Sequence, residues 1–490
     1  MEVLSNLINL VWIKKDFRIE DNEALQKAEE LSLPYLIVVL IEPFSLKLKD
    51  RNERFFKLFY KNAIEFQRTI QKKTGKTISI LYSEMEDVLR FLINQKNRIH
   101  TLIAYEEYTT RALYERDKHV RKFCKNHQIH MLEIPLDCIA RGSRKLHTHE
   151  EIQEYYYHKK VATPKLKRLI EYPELQEKFP VPESFLNYIK NDSLNLDVGE
   201  EKAKETLNSF LQKRARFYLS TISQPFKSYF YSSRLSHFLS FGNITTRSIL
   251  QTIAISQEYP KNKRNLDAFI SRLFWRRHFI QKFEKDCTTY EYHAINPYFE
   301  NLPIQKNEEL ILKFQNAETG IPIIDACILQ LKHEGWLNFR MRAMLVSFFC
   351  FYLEQDWRDI HYFLSKLFID YEPGIHFPQI QMQAGITGYN TIRMYNPIKQ
   401  SRENDPEGKF IYKWLPSLRN IPPSLVHTPW RLTTLEQKLY RFELGKNYPH
   451  PIVDMENHQS YINQYLWQLK KKREVKEFSK NLSYEFRSIS

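Results

Sequence analysis

Two arginines separated by one residue, Arg340 and Arg342, follow Trp336 and lead into the apolar run Ala343 to Leu353, and two carboxylates separated by one residue, Asp370 and Glu372, stand further on. A guanidinium entering so apolar a helix needs a partner, because an unpaired buried charge is costly. Asp370 or Glu372 supplies it. A second chemical group is Ser232-Ser233-Arg234-Leu235-Ser236, directly after the aromatic segment Tyr229-Phe230-Tyr231. Hydroxyls and backbone N–H groups at a helix start donate to a pyrophosphate; read alone, the same serines are an N-cap with hydroxyls to spare. A third is Lys470-Lys471-Lys472-Arg473, which either touches nucleic-acid phosphates or forms a solvated face.

The elements that must position these groups are legible around them. Ile324, Ile328 and Leu331 keep helical spacing behind a Thr319 cap and Pro322, and Gly335 marks the stop. Ala343 to Leu353 forms the next helix, and Asp356 caps a third carrying Trp357, Phe363, Leu364 and Leu367. Residues 1–140 alternate apolar runs (Ile8–Ile13, Tyr35–Ile41, Ile78–Tyr82, Leu102–Ala104, Met131–Ile134) with helical patterns over Asn22–Leu31, Glu53–Gln71, Glu84–Asn94 and Tyr114–Asn126. This predicts an α/β doubly wound parallel sheet, a fold that binds ligands at the carboxyl ends of its strands. The dinucleotide fingerprint is missing: Lys14-Lys15-Asp16-Phe17-Arg18 follows the first strand and Gly75 is the region's only glycine, which argues against a Rossmann-type NAD or FAD site there. Residues 141–199, with Pro164, Pro173, Pro180 and Pro182, read as a connector with a helical turn or two. Residues 200–490 read as an all-α domain whose end, Tyr461 to Ser490, is one helix and a polar tail.

At 490 residues the chain has room for two cores. Lys and Arg outnumber Asp and Glu by 73 to 58, and the net charge of +15 suits either a polyanionic partner or a solvated basic surface. Cys124, Cys138, Cys287, Cys327 and Cys350 form no C-x-x-C, which argues against zinc, against a disulfide framework and for a reducing cytoplasm. The start MEVLSNLINL lacks a basic leader region, and Ala343 to Leu353 is too short to span a bilayer. A soluble cytoplasmic monomer, without metal or membrane, is expected.

TGIPIIDA at Thr319, GW followed by R-x-R, DWR at Asp356, the spaced acidic pair, RMYNP, DPEGKFIYKWLP and YPHPIVD, with SSRLS and FWRR (Phe274 to Arg277) upstream, resemble in shared order the flavin domain of the photolyase and cryptochrome family. VWIKKDFRIEDNEAL resembles the opening of that family's antenna domain. The resemblance implies FAD, with Ser232, Ser233, Leu235 and Ser236 at its phosphates, Tyr218 upstream of them and Arg276 near the same phosphates. It places Trp336 beside the flavin, Arg342 paired with Asp370, Glu372 with Asp370 at the ribityl and ring edges, and His376 facing flavin N5, where it could donate a hydrogen bond or a proton. A folate or deazaflavin is the implied antenna chromophore. The family's four-cysteine iron–sulfur cluster has too few candidates, with three cysteines in the helical half.

The implied activity is that of a DNA photolyase, a carbon–carbon lyase acting on ultraviolet-damaged DNA through light-driven electron transfer from reduced flavin. Trp275 matches the tryptophan of the lesion site, and Arg272 and Arg340 would join it at the DNA. The chain departs from the dimer-repair pattern where Arg272 stands for a glutamate and Met382 or Gln383 for a second tryptophan. Trp357 matches the middle member of the electron-transfer tryptophans, but Ile380 or Gln381 stands at the inner one, with Tyr389 or Tyr395 as substitutes. The alternative that Arg272 and Met382 favour is a cryptochrome-like blue-light photoreceptor that binds FAD without repair.

Overall fold

The computed structural model describes residues 7–142 and 144–487. The first six residues of the start MEVLSNLINL and the tail residues 488–490 therefore lie outside the described residues.

Strands β1 (Leu7–Ile13), β2 (Tyr35–Ile41), β3 (Ser79–Tyr82), β4 (Arg98–Tyr105) and β5 (His130–Ile134) form one sheet in the order β3-β2-β1-β4-β5. All pairs are parallel, and Trp12 on central β1 faces Val38 on β2 and Ala104 on β4. The crossovers α1 (Glu23–Glu30), α2 (Glu53–Thr74), α3 (Met85–Asn94) and α4 (Arg111–Asn126) follow the expected periodicities. β4 is longer than the expected Leu102–Ala104 because exposed Arg98 and His100 interrupt its apolar signal. Alternate residues feed two cores: Leu10, Trp12 and Val38 face one side, Val11, Ile13 and Val39 the other. The second core also takes in Trp336 and Ile369, so this face of the sheet is covered by the helical half.

The connector carries more structure than expected, with helices His149–Tyr157, Pro173–Lys178 and Glu183–Lys190. Each buries one or two side chains, such as Leu175 or Phe185 with Ile189, too few to show a period. Beyond Glu200 the described residues are helical, around a core that includes Phe348, Phe349 and Phe351.

In the helix Pro322–Glu334, Ile321 is the N-cap and has no side-chain bond; the expected Thr319 cap is replaced by an inverse arrangement. Asp325 accepts the Thr319 N–H at 2.9 Å, its hydroxyl at 2.6 Å and the Gly320 N–H at 3.1 Å, so the carboxylate inside the helix captures the incoming turn. Gly335 ends the helix at φ 64°, where a Cβ would lie 2.4 Å from Ile369 Cγ2. Arg54 reaches across from α2 and donates to Leu331 O at 2.8 Å and Leu367 O at 2.9 Å, satisfying carbonyls that helix ends leave open. Trp357, not the expected Asp356, is the N-cap of Arg358–Leu367, and no side chain caps the helix; Asp356, one residue before, accepts from Arg358 N at 2.8 Å. The expected single C-terminal helix is two, Tyr461–Lys471 and Arg473–Arg487, broken where Lys472 turns extended at ψ 140°.

The loop after β1 is the domain joint. Arg18 donates to Gly242 O at 3.0 Å, Asn243 donates to Phe17 O at 3.2 Å, and buried Arg247 pairs with Asp21 and Glu23. Gly242, at φ 66°, admits this approach, since a Cβ there would lie 2.1 Å from Lys15 O. Among the described residues no helix is long and apolar enough to cross a membrane, and no three His, Cys, Asp or Glu side chains gather to hold a metal.

Candidate functional site

Arg342 resolves its own choice of partner. It lies in the first turn of Phe339–Phe351, which Asn338 caps by accepting from Met341 N at 3.0 Å while donating to Ser228 Oγ at 3.0 Å. From there the guanidinium forms a fork with Asp370 at 3.0 and 2.9 Å, donates from Nε to Leu337 O at 2.7 Å and covers the Phe368 ring at 4.2 Å. Burial alone would raise the Asp370 pKa, but the Arg342 charge and its hydrogen bonds pull the carboxyl below its usual range. The Arg342 side chain stays 25% exposed, so one edge remains open to a ligand.

Glu372 is taken by another arginine. Arg276 donates from Nε to its carboxylate at 2.9 Å, makes a second contact through Nη2, and reaches Asp137 at 2.9 Å through Nη1. Two carboxylates thus share the planar fork of Arg276. The pair stands at the head of helix Pro373–Gln383, whose first-turn carbonyl acceptor is Glu372 O, bonded by His376 N at 2.9 Å.

One turn on, His376 is buried, with Nε2 2.9 Å from the His361 carbonyl. A carbonyl only accepts, so Nε2 carries the hydrogen and Nδ1 is left as an acceptor. Burial lowers its pKa to about 4, and Arg342 nearby adds to this. The expected donor is therefore a neutral ring whose free nitrogen accepts.

The serines assemble a different pocket. The Pro225–Tyr231 helix ends at Ser232, Arg234 turns left-handed at φ 58°, and the short helix Ser236–Ser240 begins after Leu235. Ser232 Oγ and Arg234 Nη1 are buried without hydrogen-bond partners, while the buried Ser236 hydroxyl faces Asp370 and helps to lower its pKa. Arg234 lies 4.3 Å over Trp336 and 4.5 Å over Tyr229, while Arg214 donates to Ser232 O at 2.5 Å and Ser233 O at 3.3 Å. Burial lowers the Arg214 pKa to about 10, helped by repulsion from Arg234. Two guanidiniums beside an orphaned hydroxyl call for an anion, and a pyrophosphate fits that demand. Sequence reasoning passed over Arg214 and left Arg234 without a role. The signal for the second was its place inside the serine motif; the first lies in the one-turn π-helix Phe210–Arg214, which breaks the period. Tyr218 is buried among Phe210 and Phe269, both 5.8 Å away, and burial pushes its hydroxyl up to about 12.

The outer face is carried by helix Lys263–Lys285. Arg272 is exposed, and Trp275, one turn further, is 47% exposed and packs on Phe279 at 5.8 Å. Arg340 is half-buried and donates to Gln400 at 3.3 Å; Met382 is half-buried as well. Trp357 is buried, with its ring 5.5 Å from His361, whose carbonyl meets His376. Neither inner position holds a redox-active ring: Ile380 is core, and Gln381 uses its amide on the Tyr290 and His293 carbonyls and the Ile295 N–H. Tyr389 and Tyr395 are half-buried.

At the ends of β1 and β2 the cavity between Lys14, Lys15, Glu42, Phe55, Glu107 and Arg116 measures about 30 Å³. That is room for about one water. Most of its charges are paired, Lys14 with Asp117 at 2.9 Å and Arg116 with Glu42, Glu107 and Asp117 at 2.6 to 2.8 Å, while Glu42 Oε1 is buried without a partner. A folate or deazaflavin ring does not fit there.

Residues 269–468 match the FAD binding domain of DNA photolyase, and residues 9–183 match DNA photolyase. The deoxyribodipyrimidine photo-lyase of Alkalihalophilus pseudofirmus is 25% identical over 471 residues, spanning 92% of this chain and 96% of that protein. Cryptochrome DASH of Synechocystis sp. is 25% identical over 484 residues, again spanning 92% and 96%. Among solved structures, a bacterial class III photolyase from Agrobacterium tumefaciens superposes with a TM-score of 0.81 at 21% identity, covering 96% of this chain and 99% of that one, a likeness of fold. FAD is therefore the cofactor of the helical domain, and with both of the family's domains matched in order, the chain belongs to the photolyase and cryptochrome family.

Proposed function

We propose that this chain is a DNA photolyase that splits a pyrimidine lesion in ultraviolet-damaged DNA. The observation that carries the reading is the Lys263–Lys285 helix, which exposes Trp275 on one face while its neighbour Arg276 locks Glu372 on the other. A stacking ring for an extruded base thus stands one residue from the wall that also carries Asp370 and His376. FAD, when bound and reduced, supplies the photoexcited electron that opens the lesion. The protein's part is to hold and to tune: Arg342, anchored on Asp370, places positive charge where an anionic reduced ring is favoured. Arg234, Ser232 and Ser236 would hold the pyrophosphate, and Nδ1 of His376 would accept from a ring N–H. Arg272 can donate to a base carbonyl but supplies neither the acceptor nor the proton of a carboxylate.

The photoreceptor reading is favoured by the altered lesion-site positions Arg272 and Met382. Blue-light incubation of the reduced protein with dimer-containing oligonucleotide separates the two. Light-dependent loss of dimers supports the photolyase; flavin bands without repair, unchanged in Arg272→Glu, turn the assignment to a photoreceptor.

A further inference from the structure

We propose that the C-terminal helix pair forms a second DNA contact, a docking site for the phosphodiester backbone of one strand beside the base stacked on Trp275. This rests on the photolyase reading above. A cavity of about 390 Å³ opens between Tyr461–Lys471, Arg473–Arg487 and the turn at Gly388 and Tyr389. Its walls carry Lys470, Lys476, Lys480, Ser479, Ser483 and Tyr484. The break at Lys472 folds the second helix back against the turn and brings lysines from both helices to one space.

The charges in this cavity are available. Lys476 and Lys480 form no ion pair among the described residues, whereas the neighbouring acids are engaged, Glu485 by Lys285 at 3.0 Å and Glu477 by Arg473 at 2.8 Å. Lys470 is held by Asn390 O at 2.6 Å, and Ser479 Oγ accepts from Asn296 at 3.1 Å, so the walls are fixed while two ammoniums stay exposed. Ammonium point charges beside hydroxyls suit phosphate oxygens and read no base edge.

The cavity and the stacking face are joined by a chain of packed side chains, of which Phe279 and Lys282 are buried. Trp275 touches Phe279, Lys282 lies 5.4 Å over Phe279 and 5.2 Å over Tyr389, and Tyr389 lines the cavity. From Trp275 to Lys282 the helix rises about 10 Å, over which a strand presents about three phosphates. That is the reach at which a strand leaving the stacked base would meet the exposed lysines Lys476 and Lys480.

The test is a salt titration of an undamaged, labelled single-stranded oligonucleotide against the flavin-loaded protein, read by anisotropy. Lys476→Gln with Lys480→Gln should flatten the slope of log K against log salt by about 1.4, two contacts of about 0.7 each. Flavin content should stay at the wild-type level. The charge-matched pair Lys72→Gln with Lys73→Gln, at the end of α2, should keep the wild-type slope. An unchanged slope in the first pair, or an equal loss in the second, overturns the docking site and leaves the photolyase reading standing. A flavin-loaded wild type that binds no strand at all overturns both.

Discussion

Arg342→Ala isolates the ion pair on which the flavin assignment leans. The substitution strands Asp370, whose side chain is only 6% exposed, and removes the Nε donor from Leu337 O. Breaking a buried pair from one side costs about 3–5 kcal/mol. The 25% exposure of Arg342 argues for the lower end, about 3 kcal/mol, roughly two decades in the folding equilibrium. Adding Asp370→Asn removes the stranded charge, so the double variant should recover about 2 kcal/mol of that loss. The pH dependence has a definite sign. In the wild type the Asp370 pKa is depressed, so its contribution is complete above the unfolded value of about 3.9 and is lost as pH falls through the folded value. In Arg342→Ala, burial remains and raises the pKa, so stability is lost as pH rises through the raised value. The deficit of the variant should therefore be larger at pH 8 than at pH 5. Urea unfolding at the two pH values, with flavin per chain measured after gel filtration, reads both effects; each single variant should also carry less flavin. A double variant with the summed deficit of its parents, a deficit flat in pH, or full flavin content in both single variants would refute the reasoning.

Trp275→Ala should weaken binding of damaged DNA by about 1–3 kcal/mol, the worth of one stacked base, with flavin content unchanged; equal affinity contradicts its placement. His237, His278, His361 and His376 are held neutral first of all by burial, with values lowered to about 4, 3, 3 and 4. Their folded values lie below the unfolded value of about 6.5, so stability is full above it and falls as pH drops toward 4. Thermal midpoints that stay level from pH 7 to pH 4.5 would contradict that burial. Because about 30 Å³ is open at the strand ends, incubation with a folate or a deazaflavin should add no absorbance that survives gel filtration and no energy transfer to FAD; a retained chromophore would show that the lysine and arginine cage opens.

The parallel sheet was legible because β1 and β2 are apolar on both faces, and buried strands write their pattern as continuous runs. The helical half was legible for the same local reason: Pro322 and Gly335 punctuate a period, and motif order from Ser232 to Asp370 carried the family and its cofactor. What the sequence left open were choices between partners. Arg342 had two carboxylates within reach along the chain, and only packing set Asp370 opposite it and Arg276 opposite Glu372. Ser232 and Ser236 could have been a plain cap until the fold buried the Ser232 hydroxyl unpaired near Arg234 and Arg214, the latter from a distorted turn with no period to read, and turned Ser236 to Asp370. The His376 tautomer depended on a carbonyl from another helix, and the break at Lys472 on docking against the Gly388 turn. Local backbone preference acts over a few residues, so it determines elements; burial and charge pairing act between elements far apart in sequence, and only the tertiary structure decides which groups they leave open to chemistry.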